Sequence, residues 1–220
     1  MKKEYADKQV YWQQENVLPA LAHELQQGNL LISSTDTVLG LLAPISQEGY
    51  QALNRVKKRS GKPYLILIGS PDQASQYADI SVHIGMHEQI RSLMSHCWPG
   101  PLTLIVPAKS GIPDYIMGSD GTVALRVPSH AGLLALLAHF DGLFSTSANL
   151  SDEPVPARVD GLNSDLVDAV RYIVTDQDVQ LGATLPSTIL DCTHDAIRVV
   201  RRGAYSIDVL EQIGGKKLLL

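Results

Sequence analysis

The chain holds 220 residues, 45% of them hydrophobic and 19% charged, with a formal net charge of −5. That length suits one domain with a sizeable core, and no apolar run reaches the roughly 20 residues of a membrane span. An acidic balance with 5% aromatic residues argues against a dedicated nucleic-acid binder, which needs basic surface and stacking platforms.

Residues 1–15 (MKKEYADKQVYWQQE) lack the apolar segment of a secretory signal and read as a polar lead-in to one domain over 16–220, in a cytoplasmic protein. Asn16 is placed to cap a helix over 17–27, with Val17, Leu18, Leu21 and Leu25 on one face, Pro19 in its first turn and Gly28 closing it. NLLISS reads as a strand. Ser46 starts a second helix that carries Tyr50, Leu53 and Val56 at helical spacing. YLILIG at 64–69 is a short buried strand, and 83–96 reads as a helix. LTLIVPA, TVALRVP, GLFSTS, RYIVTD, STILD and AIRVVRR are further strands, rich in β-branched residues. AGLLALLAHF is a buried helix, residues 150–162 a long loop, and SIDVLEQI a short terminal helix. Helices and strands alternate irregularly, with several strands in succession late in the chain. The pattern predicts an α/β fold with a mixed rather than purely parallel sheet.

Two small hydroxyl-rich turns stand out, Ser34-Thr35-Asp36-Thr37 and Ser145-Thr146-Ser147-Ala148-Asn149, each directly after an apolar run. Buried hydroxyls and amides must find hydrogen-bond partners, so such turns at strand ends suggest a shared pocket for a small polar ligand. The plainer reading of Thr35 and Thr37 is a local turn bonded to its own backbone, and the two readings are compatible. Ser147 and Asn149 equally suit a turn that ends a strand. Arg126 is a charge within an apolar strand. It either faces solvent from a sheet edge or pairs with an anion. Thr122, four residues earlier, shares its strand face. Basic residues cluster at Arg55, Lys57, Lys58, Arg59 and Lys62, and again at Arg198, Arg201 and Arg202. They suit a phosphate pocket or two solvated faces. Lys57 and Arg59, two apart, cannot point the same way on a helix, so they belong at a helix end or loop. Neither GxxxxGK[ST] nor GxGxxG occurs in the appropriate context. His83 and His87 stand i, i+4 without a third ligand, so no protein-bound metal is expected. Cys97 and Cys192 lack metal spacing and read as reduced, buried thiols. Trp98 opens WPGP, a rigid turn with the indole packed beneath it.

These segments carry a resemblance. STDTVLGL at 34–41, KKR at 57–59, WPGPLTLIVPA at 98–108, VALRVPSH at 123–130, STSANLS at 145–151, PSTILD at 186–191 and RRG at 201–203 resemble the motifs of the YrdC/TsaC family, and they stand in family order. The resemblance implies a YrdC-like fold, a twisted mixed sheet flanked by helices, in its short single-domain form. It implies synthesis of threonylcarbamoyl-AMP from L-threonine, bicarbonate and ATP, with Mg²⁺ accompanying ATP and pyrophosphate released. The product serves threonylcarbamoyl modification of the tRNA adenosine next to the anticodon, so tRNA or the tRNA-modifying transferase complex is an implied partner. It implies that Thr35, Thr37, Arg126, Ser147 and Ser187 bind threonine, with Arg126 on its carboxylate. Arg59, Lys62, Thr122, Asn149 and Arg201 bind the nucleotide, and Lys57 and Arg59 serve the chemistry. Arg202 stands one register from Arg201. The family has three residues between the Arg of K-x-R and the next such residue, and this chain has two, Ser60 and Gly61. That leaves Lys58 and Arg59 as alternatives for the Arg place. Leu39 stands where relatives have an aromatic residue and Ser34 where they have Pro. A YciO-like paralogue of different activity and a non-catalytic RNA-binding module are the alternative readings.

Overall fold

The computed structural model describes residues 5–58, 63–79, 87–151, 153–177 and 185–220. In chain order the elements are β1 (Gln9–Tyr11), α1 (Val17–Gln26), β2 (Leu30–Ser33), β3 (Gly40–Pro44), α2 (Gln47–Lys57), β4 (Leu65–Leu67), α3 (Ala74–Tyr77), α4 (His87–Cys97) and β5 (Leu102–Pro107). Then come β6 (Thr122–Arg126), α5 (Ala131–Leu137), β7 (Leu143–Ser147), α6 (Ser164–Ala169), β8 (Val170–Thr175), β9 (Thr188–Asp191), β10 (Arg198–Arg201) and α7 (Ile207–Gly214).

The local reasons agree with the sequence in most places. α2 starts where Ser46 accepts the Gly49 N–H at 3.0 Å, a side-chain cap that satisfies an orphan donor. α1 begins at Val17 as expected, but the Asn16 cap is a misreading. Asn16 is in the left-handed region with φ 60 and makes no side-chain cap bond. The turn is closed instead by the Val17 N–H on the Gln14 carbonyl. Gly28, at φ +83, ends the helix, a conformation glycine takes without penalty. Four elements escaped the sequence reading, among them the single-turn α3 at Ala74–Tyr77. β1 arises within the polar N-terminal stretch. β3 is too short and too continuous to show a period. α6 follows the long loop and is six residues long.

The chain divides into two compact units, each assembled from two separated stretches: residues 1–60 with 130–184, and residues 61–129 with 185–220. Because neither unit is contiguous in sequence, no linker marks a boundary. In the first unit the strand order is β1-β8-β2-β3-β7. β1, β8 and β2 run parallel, while β2–β3 and β3–β7 are antiparallel. α1 and α2 pack on β2 and β3, with α5 against α1 and α6 against α2. In the second unit the order is β4-β6-β5-β9-β10. Parallel pairs β4–β6 and β5–β9 alternate with antiparallel pairs β6–β5 and β9–β10, and α4 packs against α7. In each unit the strand pairing is mixed, as the strand pattern predicted. Leu31, Ile32, Leu41, Leu42 and Phe144 are fully buried in the first unit, and Ile66, Leu102 and Leu190 in the second. Truncating such a side chain to Ala costs about 2–5 kcal/mol.

Candidate functional site

In the first unit, the two hydroxyl turns stand side by side. β3 pairs with β7 so that Gly40 faces Ser147, and the Ala148 N–H donates to the Leu39 carbonyl at 2.8 Å. A Cβ on Gly40 would lie 3.3 Å from the Thr35 methyl and 3.6 Å from Ser145 Oγ. Glycine there lets the first turn settle against the second. Thr35 organises its own turn. Its Oγ1 donates to the Val38 carbonyl at 2.7 Å and accepts the Thr37 N–H at 3.0 Å, with Thr37 Oγ1 3.1 Å away. Thr37 is buried and Thr35 half-buried. The plainer reading of these threonines as a locally bonded turn is therefore correct.

Lys57 is the last residue of α2 and is only 3% exposed. Its ammonium donates to the Ser147 carbonyl at 2.9 Å, the Asn149 carbonyl at 2.5 Å and Asn149 Oδ1 at 2.9 Å. A buried ammonium has three donors to place, and the second turn supplies three acceptors. Ser147 Oγ in turn donates to Asn149 Oδ1 at 2.5 Å, Asn149 Nδ2 donates to the Glu153 carbonyl, and Ser151 Oγ donates to the Lys57 carbonyl at 2.7 Å. Lys58 is different: left-handed at φ 50, exposed, and bonded to Asp165 on α6 at 3.0 Å. The change of hand at the helix end separates two successive lysines, one inward and one outward. Arg59, Lys62 and His83 lie outside the described residues.

Beside these turns lies a cluster that sequence reasoning missed. Ser34, fully buried, accepts the Trp12 indole N–H at 3.0 Å and donates to Asp176 Oδ2 at 2.7 Å. His130 Nε2 reaches the same Oδ2 at 3.0 Å, and His130 Nδ1 accepts the Leu133 N–H at 3.1 Å, capping α5. That cap assigns the ring proton to Nε2. The residues look like a Ser-His-Asp triad, but the geometry is not one. Ser34 gives its proton to the carboxylate, not to the histidine, whose acceptor nitrogen is already used. Burial would raise the Asp176 carboxyl. Hydrogen bonds from His130 and Ser34, the electrostatic influence of His130 and a bond from Gln13 outweigh it and hold the pKa below the usual carboxylate value. The signal was present in the sequence: Ser34 and Asp176 are polar residues placed directly after apolar strands.

In the second unit, Arg126 is 4% exposed, on β6 between β4 and β5. The edge-strand alternative is ruled out. Its Nε donates to the Gly100 carbonyl at 3.0 Å. Arg201 donates from Nε and Nη2 to the Ser187 carbonyl at 3.1 and 2.9 Å and from Nη2 to Ser187 Oγ at 3.0 Å. Ser187 Oγ also meets Thr103 Oγ1 at 2.8 Å. Burial, and then repulsion from Arg126, lower the Arg201 pKa, so two guanidiniums share one neighbourhood. Such a region favours an anion. Thr122 shares the Arg126 strand face, and its hydroxyl donates to Asp120 Oδ1 at 2.8 Å. It lines a cavity of about 360 Å³ together with Ala124, Ile105, Asp120 and Asp191. Ile105 is the register partner of both Ala124 and Asp191, so these three side chains stand in a row. Cys97 and Cys192 are buried, and burial raises both thiol pKa values. Trp98 is buried with its indole N–H on the Leu102 carbonyl at 2.7 Å.

Comparison with known proteins follows the same segments. The family model Sua5/YciO/YrdC, described as telomere recombination, matches residues 23–203. A threonylcarbamoyl-AMP synthase of Pyrococcus abyssi is 28% identical over 197 residues, which is 87% of this chain and 55% of that protein. The crystal structure of P. abyssi Sua5 complexed with L-threonine superposes with a TM-score of 0.84 at 26% identity, over 97% of this chain and 62% of that one. This chain thus spans less than two thirds of these relatives. The crystal structure of E. coli YciO shares the fold, with a TM-score of 0.75 at 19% identity, covering 91% of this chain and 96% of that one.

Proposed function

Because the chain belongs to the Sua5/YciO/YrdC family, we propose that it is a threonylcarbamoyl-AMP synthase. Threonine and bicarbonate give a carbamate and water. A carbamate oxygen attacks the α-phosphorus of ATP, and pyrophosphate leaves. No covalent enzyme intermediate is needed, so the protein's task is to position reactants, exclude water and stabilise negative charge.

The observation that carries this reading is the pair of adjoining hydroxyl turns tied down by a buried lysine. Thr35, Thr37 and Ser147 offer hydroxyls suited to a hydroxy amino acid. Arg126, buried beside Arg201, suits its carboxylate through bidentate pairing, and Ser187, bonded to Arg201, completes the threonine set. Arg59, Lys62, Asn149, Thr122 and Arg201 serve the nucleotide. The cavity next to Thr122 carries two carboxylates, so it suits the hydroxyl- and amine-bearing nucleoside better than a phosphate. Lys57 holds its charge beneath Ser147 and Asn149, where it stabilises charge that develops on the phosphates together with Arg59. Among the described residues no group of three or more His, Cys, Asp or Glu side chains could hold a metal ion. In this reading Mg²⁺ accompanies ATP as part of the MgATP substrate. The adenylate then passes to tRNA or to a transferase that modifies it, in the cytoplasm. Among the described residues no helix is long and apolar enough to cross a membrane.

The test is incubation with ATP, labelled bicarbonate and each amino acid in turn. Threonine is expected to yield labelled acyl-adenylate and pyrophosphate. A site that bonds the substrate hydroxyl rejects valine by up to about 10⁴, while serine is disfavoured modestly. Equal turnover of valine and threonine, or no adenylate from any amino acid, would overturn the reading.

A further inference from the structure

The first threonine-bearing turn hangs from Ser34, and every polar group of Ser34 is held. Its N–H donates to the Val174 carbonyl at 2.9 Å, its carbonyl accepts from Ser33 Oγ at 2.6 Å, and its hydroxyl joins Trp12 to Asp176. The cluster draws its side chains from four places. Trp12, Ser34 and Asp176 directly follow the carboxyl ends of the parallel strands β1, β2 and β8, and His130 caps α5. Polar groups beyond the carboxyl ends of parallel strands are where α/β proteins place ligand-binding loops. Trp12 is clamped in addition by its ring contact with His130, centroids 5.4 Å apart, and by Gly132, where a Cβ would lie 2.5 Å from the indole. Trp12 and Asp176 both bond to the Ser34 hydroxyl, one residue before Thr35.

We propose that Asp176, with Trp12 and His130, is a positioning residue: the carboxylate collects the Ser34 hydroxyl and the His130 Nε2–H, and thereby sets the backbone from which Thr35 and Thr37 present their hydroxyls. The idea that these hydroxyls receive threonine rests on the function proposed above. The fixing of the turn does not, and the experiment separates the two.

Ser34→Ala, Asp176→Ala and Asp176→Asn are compared with the parent chain. The first readout needs no substrate: exchange of the Thr37 backbone amide, which bonds to Thr35 Oγ1. Losing a buried hydrogen bond worth about 1.4 kcal/mol is a tenfold change, so exchange speeds up roughly tenfold in Ser34→Ala and Asp176→Ala. Asp176→Asn keeps an oxygen for both donors and restores slow exchange. The second readout is kinetic: the threonine KM rises about tenfold in the two alanine variants while the ATP KM stays within about twofold. Should Asp176→Ala fail to fold, Ser34→Ala and Asp176→Asn decide. Unchanged Thr37 exchange and unchanged threonine KM, with only a lower melting temperature, would make the cluster a core feature and overturn the proposal. Faster exchange in a protein whose parent form binds no threonine by calorimetry would leave the positioning intact and overturn the substrate assignment instead.

Discussion

Lys57 is the residue whose role changes most between sequence and structure. Read as half of K-x-R, it is a phosphate ligand. In the fold its ammonium is buried under the Ser147–Asn149 turn with three acceptors. Lys57→Met leaves those acceptors unsatisfied at about 1–3 kcal/mol and loosens both hydroxyl turns. Chemical denaturation should show that loss, and kinetics should show both threonine and ATP affinities falling. Lys58→Ala removes an exposed pair with Asp165 and should change stability by no more than about 1 kcal/mol. If Lys58→Ala were the damaging change and Lys57→Met the silent one, the structural assignment of the two lysines would be reversed. Asp176 gives a pH signature. Its folded pKa lies below the ordinary 3.8, so its stabilisation is fully present above that value and is lost as pH falls through the lower, folded value. Melting curves should drop more steeply as the pH falls below about 4 in the parent chain than in Asp176→Asn, whose side chain does not titrate. Parallel curves would refute the carboxylate's contribution.

At the scale of elements, the start of β9 is fixed by a close approach. A Cβ on Gly203 would lie 2.2 Å from the Pro186 carbonyl oxygen and 2.5 Å from Ser187 carbon. These are backbone atoms that cannot swing aside, so Gly203→Ala pushes the segment after β10 away from Ser187. Overpacking of this kind costs about 1–3 kcal/mol, and the Arg201–Ser187 bonds would lengthen with it. The expected result is a lower unfolding midpoint together with a raised KM for threonine or ATP. A variant with parent-like kinetics would show that Ser187 and Arg201 need not be held together. The contrast with Ser46→Ala is useful. Loss of that cap should cost about 1 kcal/mol with unchanged KM values, because Ser46 opens α2 far from its Lys57 end.

For the whole molecule, binding and folding are linked. A ligand at about 100 times its Kd stabilises the folded state by about 2.7 kcal/mol. In a chain of this size that raises the melting temperature by roughly 5–10 °C. Threonine is expected to produce such a shift and valine is not. Arg126→Ala should abolish the threonine shift while keeping the response to MgATP, since losing a charged hydrogen bond costs about 1.5–3 kcal/mol. Equal shifts with threonine in Arg126→Ala and the parent chain would remove Arg126 from the carboxylate role.

Much of this was legible along the chain. Period, turn chemistry and β-branched runs located α2, α5, α7 and the six strands from β5 to β10, because those signals are local. The ordered motifs led to the family, and the hydroxyl turns after apolar runs led to Thr35, Thr37, Ser147 and Asn149. What the tertiary structure alone decided concerns partners distant in sequence. Lys57 reaches Asn149 across 92 positions, and Ser34 reaches Asp176 across 142. No periodicity encodes which loops a sheet order brings together. β3 becomes a strand because β2 and β7 flank it, and β1 because β8 is there to pair with it. Arg126 lies on a central rather than an edge strand because β6 has neighbours on both sides. The sequence by itself determined which residues can do chemistry; the fold decided which of them hold one another in place, because hydrogen-bond partners are chosen by distance in space.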